Sequence, residues 1–187
     1  MELRDAIKKR KSVRRFSDSK PNWRKVIEAI DMARIAPAAG NIFSLKFILV
    51  NDEEKIKKLA EASQQGFVRT AKFVVVVVSD NLRLIRSYGE RGMRYCSLQG
   101  GASIQNFLLA LTELGMVTTW VGYFYDDQVK EILSIPAEMN VEGIFPIGKE
   151  SKIKTPEKQK AELENILYFN KWNNKKMVPE TITTDIG

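Results

Sequence analysis

The sequence predicts one α+β domain in which a sheet of four or five strands packs around a long central helix. Three observations point there. Hydrophobic residues make up 44% of the chain and are spread along it, which supplies a core and argues against disorder. The run Phe73 to Val78 is unbroken and β-branched, the pattern of a strand buried on both faces. Between about Gly92 and Leu114, residues Ile104, Phe107, Leu108, Leu111 and Leu114 recur at helical spacing. At 187 residues the chain has the length of one domain, expected over residues 1–172 with an arm or tail at 173–187.

The elements follow in order. Leu3, Ala6 and Ile7 predict a short amphipathic helix over residues 2–11. A second helix is expected from Asn22 to Ala36, with Trp23, Val26, Ile27, Ile30 and Ala33 on one face and Pro37 imposing the stop. A small, turn-prone loop, Ala36 to Asn41, leads into a strand at Leu45–Val50. Asn51 can cap the next helix with Glu54 as its capping-box partner. Ile56, Leu59, Ala60 and Ser63 then face inward, and Gly66 ends that helix. Beyond the Phe73–Val78 strand and the long helix, Gly115 stands where a left-handed C′ residue belongs. Gly100-Gly101 inside the helix weakens it by about 1 kcal/mol per glycine relative to alanine, which suggests a close backbone approach. Val117–Phe124 and Val141–Ile147 read as the third and fourth strands, with a helix capped by Asp126 and running to Leu133 between them. Residues 149–160 form a lysine-rich loop, followed by a helical turn or two between Leu163 and Trp172. The polar tail is either disordered or an arm packed on another surface.

Composition excludes several chemistries. The chain has no histidine and a single cysteine, Cys96, so a structural disulfide, a zinc site and any histidine-dependent triad are ruled out. No metal site is expected, and a reactive group has to come from elsewhere, such as a cofactor. The charged start, Met1 to Arg10, leaves no room for an apolar export signal. The longest apolar run is too short to span a bilayer. Together with the lone cysteine this indicates a cytoplasmic protein with no membrane partner. The net charge of +7 and a pI near 9.4 favour a phosphate or polyanion partner. Residues 6–17 carry six cations and no anion, and residues 149–160 five cations against two anions. Those two stretches therefore hold more than the whole net charge.

Several constellations bear on function. Arg10, Lys11, Ser12 and Arg14 suit a phosphate, with arginine forks and a neutral hydroxyl donor, although a solvated basic face looks the same. No P-loop pattern occurs. Pro37, Ala38, Ala39, Gly40 and Asn41 would let a planar ligand approach the backbone, with the Asn41 amide offering donor and acceptor; an ordinary turn explains them equally well. Gln105-Asn106 beside an apolar stripe would need partners if buried. Trp120-Val121-Gly122 reads as plain strand, and Lys158 and Lys160 as the end of a solvated loop. A nucleic-acid-binding module is the alternative the charge suggests, but Phe16 is the sole aromatic beside the basic run and no reading motif is present.

In this order the motifs resemble the nitroreductase family of FMN-dependent oxidoreductases, over nearly the whole chain. The resemblance runs through Arg10-Lys11-Ser12-Val13-Arg14, Ala36-Pro37-Ala38-Ala39-Gly40-Asn41 and Gln105-Asn106-Phe107-Leu108-Leu109-Ala110 with Leu114-Gly115. It continues through Pro146-Ile147-Gly148 and Tyr168-Phe169-Asn170-Lys171-Trp172. It implies a mostly antiparallel sheet flanked by helices and a swapped C-terminal arm. It also implies a homodimer with FMN at the subunit interface. Arg10, Lys11, Ser12 and Arg14 would hold the phosphate and the polar edge of the flavin, with Lys158 and Lys160 as further basic ligands. Pro37, Ala38, Ala39 and Asn41 would face the ring, and the Trp120-Val121-Gly122 backbone would pass near its N5. No side chain is then catalytic: the flavin takes hydride from NADH or NADPH and passes electrons to a nitroaromatic, quinone or similar acceptor by a ping-pong cycle. Dehalogenating, flavin-fragmenting and deazaflavin-linked enzymes share the fold and form the alternative. This chain departs from the family pattern at Ala38, at Phe43-Ser44-Leu45 and at Lys160, which lacks an arginine's fork. Between Asn51 and Met93 no large lid insertion is expected.

Overall fold

The computed structural model of the chain describes residues 1–153, 155 and 160–177. From the N-terminus it forms α1 (Leu3–Lys9), α2 (Trp23–Ala33), β1 (Leu45–Val50), α3 (Glu53–Ala62), β2 (Phe73–Ser79), α4 (Leu82–Tyr88), α5 (Arg91–Glu113), β3 (Val117–Thr118), α6 (Asp126–Leu133) and β4 (Asn140–Gly148). These elements lie in one compact unit, Met1–Thr155; a second unit, Pro156–Gly187, contains α7 (Leu163–Ile166). No helix among the described residues is long and apolar enough to cross a membrane.

The four strands make one antiparallel sheet in the order β1-β2-β4-β3. Every residue of β2 is buried, as its unbroken β-branched run predicts. Alternate side chains serve opposite faces. Val75 and Val77 pack with Val26, Ala29 and Ala33 of α2 and with Ile104, Phe107 and Leu111 of α5. Val74, Val76 and Val78 pack with Ile56 and Leu59 of α3 and Val129 of α6. The sheet is thus the middle layer of three, with α5 running across one face.

Helix ends follow local chemistry. α5 closes as expected on Gly115, whose φ of 69° is left-handed. The N–H of Met116 donates to the Leu111 carbonyl at 2.8 Å and that of Gly115 to Thr112 at 3.1 Å, the paired bonds of a Schellman closure. Asn51 does not cap α3. The cap is Asp52, whose carboxylate accepts from the Lys55 N–H at 3.0 Å, and a charged oxygen also suits the positive end of the helix. α3 stops before Gly66, with Gln64 taking the left-handed position at φ 52°. Asp126 is the first helical residue of α6 rather than its cap. A side chain added at Gly101 would meet open space, and at Gly100 only the Glu142 carboxylate at 3.8 Å. The close approach lies instead at Gly92, where an added Cβ would come within 2.4 Å of the Leu84 backbone.

The third strand is much shorter than the expected Val117–Phe124. After Thr118 the chain leaves the ladder and touches it again only at a Val121–Ile144 bridge. The cause is a pair of irregularities facing one another. The β2–β4 register shifts between Val77 and Val78, leaving Glu142 without a partner on β2, which marks a bulge. The freed Glu142 carbonyl accepts from Trp120 Nε1 at 3.0 Å, and the indole lies over Gly143, where a Cβ would approach it to 2.5 Å.

In the second unit the expected helical stretch over Leu163–Trp172 is confined to the four residues of α7. The rings of Tyr168 and Trp172 pack with centroids 4.5 Å apart and planes tilted by 45°, and Lys175 donates to the Glu164 carbonyl.

Candidate functional site

The basic segment leaves α1 at Arg10, whose N–H closes the helix on the Ala6 carbonyl at 2.9 Å. It then runs extended beside the sheet. Ser12 forms a parallel bridge with Thr118, and the Val13 N–H donates to the Thr118 carbonyl at 3.0 Å. Val13 is fully buried, and alternation in an extended chain turns its neighbours Ser12 and Arg14 outward, where both are exposed. Phe16 rests on Gly148, where a Cβ would collide with its ring at 2.7 Å. The Arg14 guanidinium lies over the Phe67 ring, 5.9 Å from its centroid. Arg10, Arg14 and Arg15 enter no ion pair among the described residues. Lys11 does, with its Nζ 2.8 Å from Glu150 Oε1. Burial pushes the Glu150 carboxyl up, but hydrogen bonds from Lys11 and Thr155 and the Lys11 charge outweigh it and hold the group below the ordinary glutamate range.

Thr118 leads directly to Trp120, Val121 and Gly122. Trp120 and Gly122 are exposed while Val121 is buried. A Cβ at Gly122 would meet nothing within 4 Å. The basic segment and this stretch are therefore neighbours, joined by the Ser12–Thr118 bridge.

The loop Pro37–Asn41 is built separately. Ala39–Asn41 form a 3-10 turn in which Gly40 and Asn41 both have positive φ, 57° and 56°, a conformation asparagine tolerates better than most residues. Pro37, Gly40 and Asn41 are exposed, Ala38 and Ala39 half-buried. Two buried side chains of α5 that sequence reasoning missed hold the loop at both ends. Ser103 donates to the Ala33 carbonyl at 2.8 Å. Gln99 Oε1 accepts from both the N–H and the hydroxyl of Ser44, each at 2.8 Å, while its Nε2 donates to the Ile42 carbonyl at 2.9 Å. Their signal was available: Cys96, Gln99 and Ser103 share one helical face with the apolar stripe. The two amides that were singled out behave differently, Gln105 being exposed and Asn106 half-buried.

The loop and the basic segment stand at opposite ends of the sheet. Leu45, which follows the loop, pairs with Ser79, and Ser79 with Asn140; the basic segment bridges to Thr118 and Glu150, at the other end of β4. Eight strand steps separate Asn140 from Gly148, about 26 Å. The central helix gives the same measure. Gln99 anchors the loop, and Gly115, whose carbonyl accepts from Lys149 Nζ at 2.8 Å, marks the other end about 24 Å along the helix axis. Lys160 is exposed in the second unit, and Lys158 lies outside the described residues.

This fold and this order of motifs have known counterparts. The sequence profile of the nitroreductase family matches residues 7–67 and 61–149. The chain belongs to the nitroreductase family. A Methanocaldococcus jannaschii protein described as a nitroreductase is 29% identical, over 80% of this chain and 91% of its own. The iodotyrosine deiodinase of Thermotoga neapolitana is 28% identical, over 78% and 87%. Among solved structures, the NADPH:FMN oxidoreductase of Vibrio harveyi in complex with NAD+ superposes with a TM-score of 0.80, covering 92% of this chain and 78% of its own; at 20% identity it is a likeness of fold.

Proposed function

We propose that this chain is an FMN-dependent oxidoreductase, a homodimer that uses NADH or NADPH to reduce nitroaromatic, quinone or similar acceptors in a ping-pong cycle. The observation that carries the reading is the donor set at the Ser12–Thr118 bridge: Arg10, Ser12 and Arg14, with no carboxylate paired to either arginine among the described residues. Its chemistry fits a phosphate monoester, since arginine forks take its oxygens in pairs and a serine hydroxyl donates without charge. Gly122, with open space where a side chain would stand, fits the close approach of a flat ring to the Trp120–Gly122 backbone. Bound there, FMN would supply the two-electron redox chemistry. The residues of the chain would position and exclude: Arg10 and Arg14 would neutralise the phosphate, and Trp120 would wall one side with its exposed indole.

Asn41 is suited to the edge of a heterocycle, but its loop lies too far along the sheet for one flavin to reach both it and the basic segment of the same chain. In our reading it completes the site of a second copy, and the two copies exchange loops symmetrically. One observation favours a different reaction on the same cofactor, the 28% identity to an iodotyrosine deiodinase, which would make the acceptor a halogenated phenol.

Purification with added FMN tests the reading. A yellow protein whose flavin is bleached anaerobically by NADH or NADPH, and recovers its colour with a quinone, is the expected result. A colourless protein whose thermal midpoint ignores FMN sinks it. Halide release from iodotyrosine with no quinone turnover would favour the deiodinase reaction instead.

A further inference from the structure

We propose that Glu150 is a positioning residue for the cofactor phosphate: it draws Lys11 away from the anion site and so sets the direction in which Ser12 and Arg14 project. The inference rests on the FMN reading above and deepens it.

The basic segment is fastened twice against the chain that follows β4. At Lys11 the fastening is the 2.8 Å ion pair with Glu150, whose side chains are 28% and 30% exposed, sheltered enough to be screened less than a surface pair. At residues 15–17 it is backbone. Phe16 bridges Glu150, Ser17 N–H donates to Lys149 at 2.9 Å, and Ser151 N–H donates to Arg15 at 3.2 Å. Only Ser12, Val13 and Arg14 lie between the two fastenings. Those residues are the ones placed against Thr118, with Val13 buried and its neighbours outward. The Glu150 oxygen that meets Lys11 also accepts from the Thr155 N–H at 3.4 Å, so one carboxylate holds both the segment and the chain beyond β4. Lys11 is accordingly not a phosphate ligand, although it sits in the middle of the motif.

Simple electrostatics makes the opposite forecast, which renders the idea testable. An anion beside a phosphate site should weaken phosphate binding, so a Glu150 acting as mere counter-charge would tighten FMN when neutralised. A Glu150 that orders the segment would do the reverse. The measurement is the affinity of the full chain for FMN and for riboflavin, by flavin fluorescence. Glu150→Gln should weaken FMN about tenfold, the size of one lost charge-assisted bond, and leave riboflavin unchanged. The exchange Lys11→Glu with Glu150→Lys should recover FMN affinity to within about threefold of wild type, because the pair is rebuilt in reverse. Equal or tighter FMN binding by Glu150→Gln overturns the proposal. So does an exchange variant that stays as weak as Lys11→Glu alone, which would assign Lys11 to the phosphate. Equal losses for both flavins indicate damage to the fold and overturn it as well. A wild-type chain that binds neither flavin fails the FMN reading itself, and the proposal with it.

Discussion

Ser12 and Arg14 owe their exposure to the valine between them. Val13 is buried against the sheet, and in an extended chain that commits both neighbours to the other side. A motif that reads as charge is therefore seated by an apolar residue. Glu150 adds a pH dependence whose sign is fixed. Its pKa is lowered in the folded chain, so its contribution to stability is complete above the unfolded glutamate value, about 4.3. That contribution is lost as pH falls through the lowered folded value. The gap in thermal midpoint between wild type and Glu150→Gln should hold steady from neutral pH down to the ordinary glutamate range and close as the pH falls below it. A gap that widens on acidification would contradict the assignment of the Lys11 pair.

Among the elements, α3 offers a sharp comparison because two adjacent residues compete for its cap. Asp52→Ala should destabilise the protein by about 1 kcal/mol, as lost caps do, while Asn51→Ala should change little; chemical denaturation of the two variants decides it. The sequence made Asn51 the candidate because Glu54 stands three residues on, and a shift of one residue is invisible to that pattern. Elements with a strong period were legible: the β-branched run of β2, the long stripe of α5, and the glycine that closes it. Trp120 shows where legibility stops. Its strand pattern is sound locally, yet the bulge at Glu142 on another strand offers its indole a carbonyl, and no local pattern encodes a partner 22 residues away. Gln99 and Ser103 were half legible, their place on the buried helical face being readable and their partners not. They sit on the apolar face of α5, and their partners, the Ala33 and Ile42 carbonyls and the N–H and hydroxyl of Ser44, flank the loop and are not displayed by a sequence. The basic segment and the loop were legible as motifs; that they occupy opposite ends of the sheet was not, since order along the chain says nothing of distance across it.

For the whole molecule, the three-layer arrangement makes α5 the common spine: Gln99 and Ser103, in its first half and at its middle, anchor the Pro37–Asn41 loop, and its C-terminal end lies beside the basic segment. If the proposed site is shared between two copies, a spine of that length would hold its two halves apart within each chain, with a genetic consequence. A variant broken in the basic segment, Arg14→Ala with Ser12→Ala, and a variant broken in the loop, Asn41→Ala, should each be weak in flavin binding as pure dimers. Denatured together and refolded, they should complement. Each mixed dimer would gather both lesions into one site and leave the other intact, so random pairing restores about a quarter of wild-type sites. If every chain built its own site alone, mixing would restore none. The wide separation that looks like an obstacle to binding is thus what would let two defective alleles rescue each other.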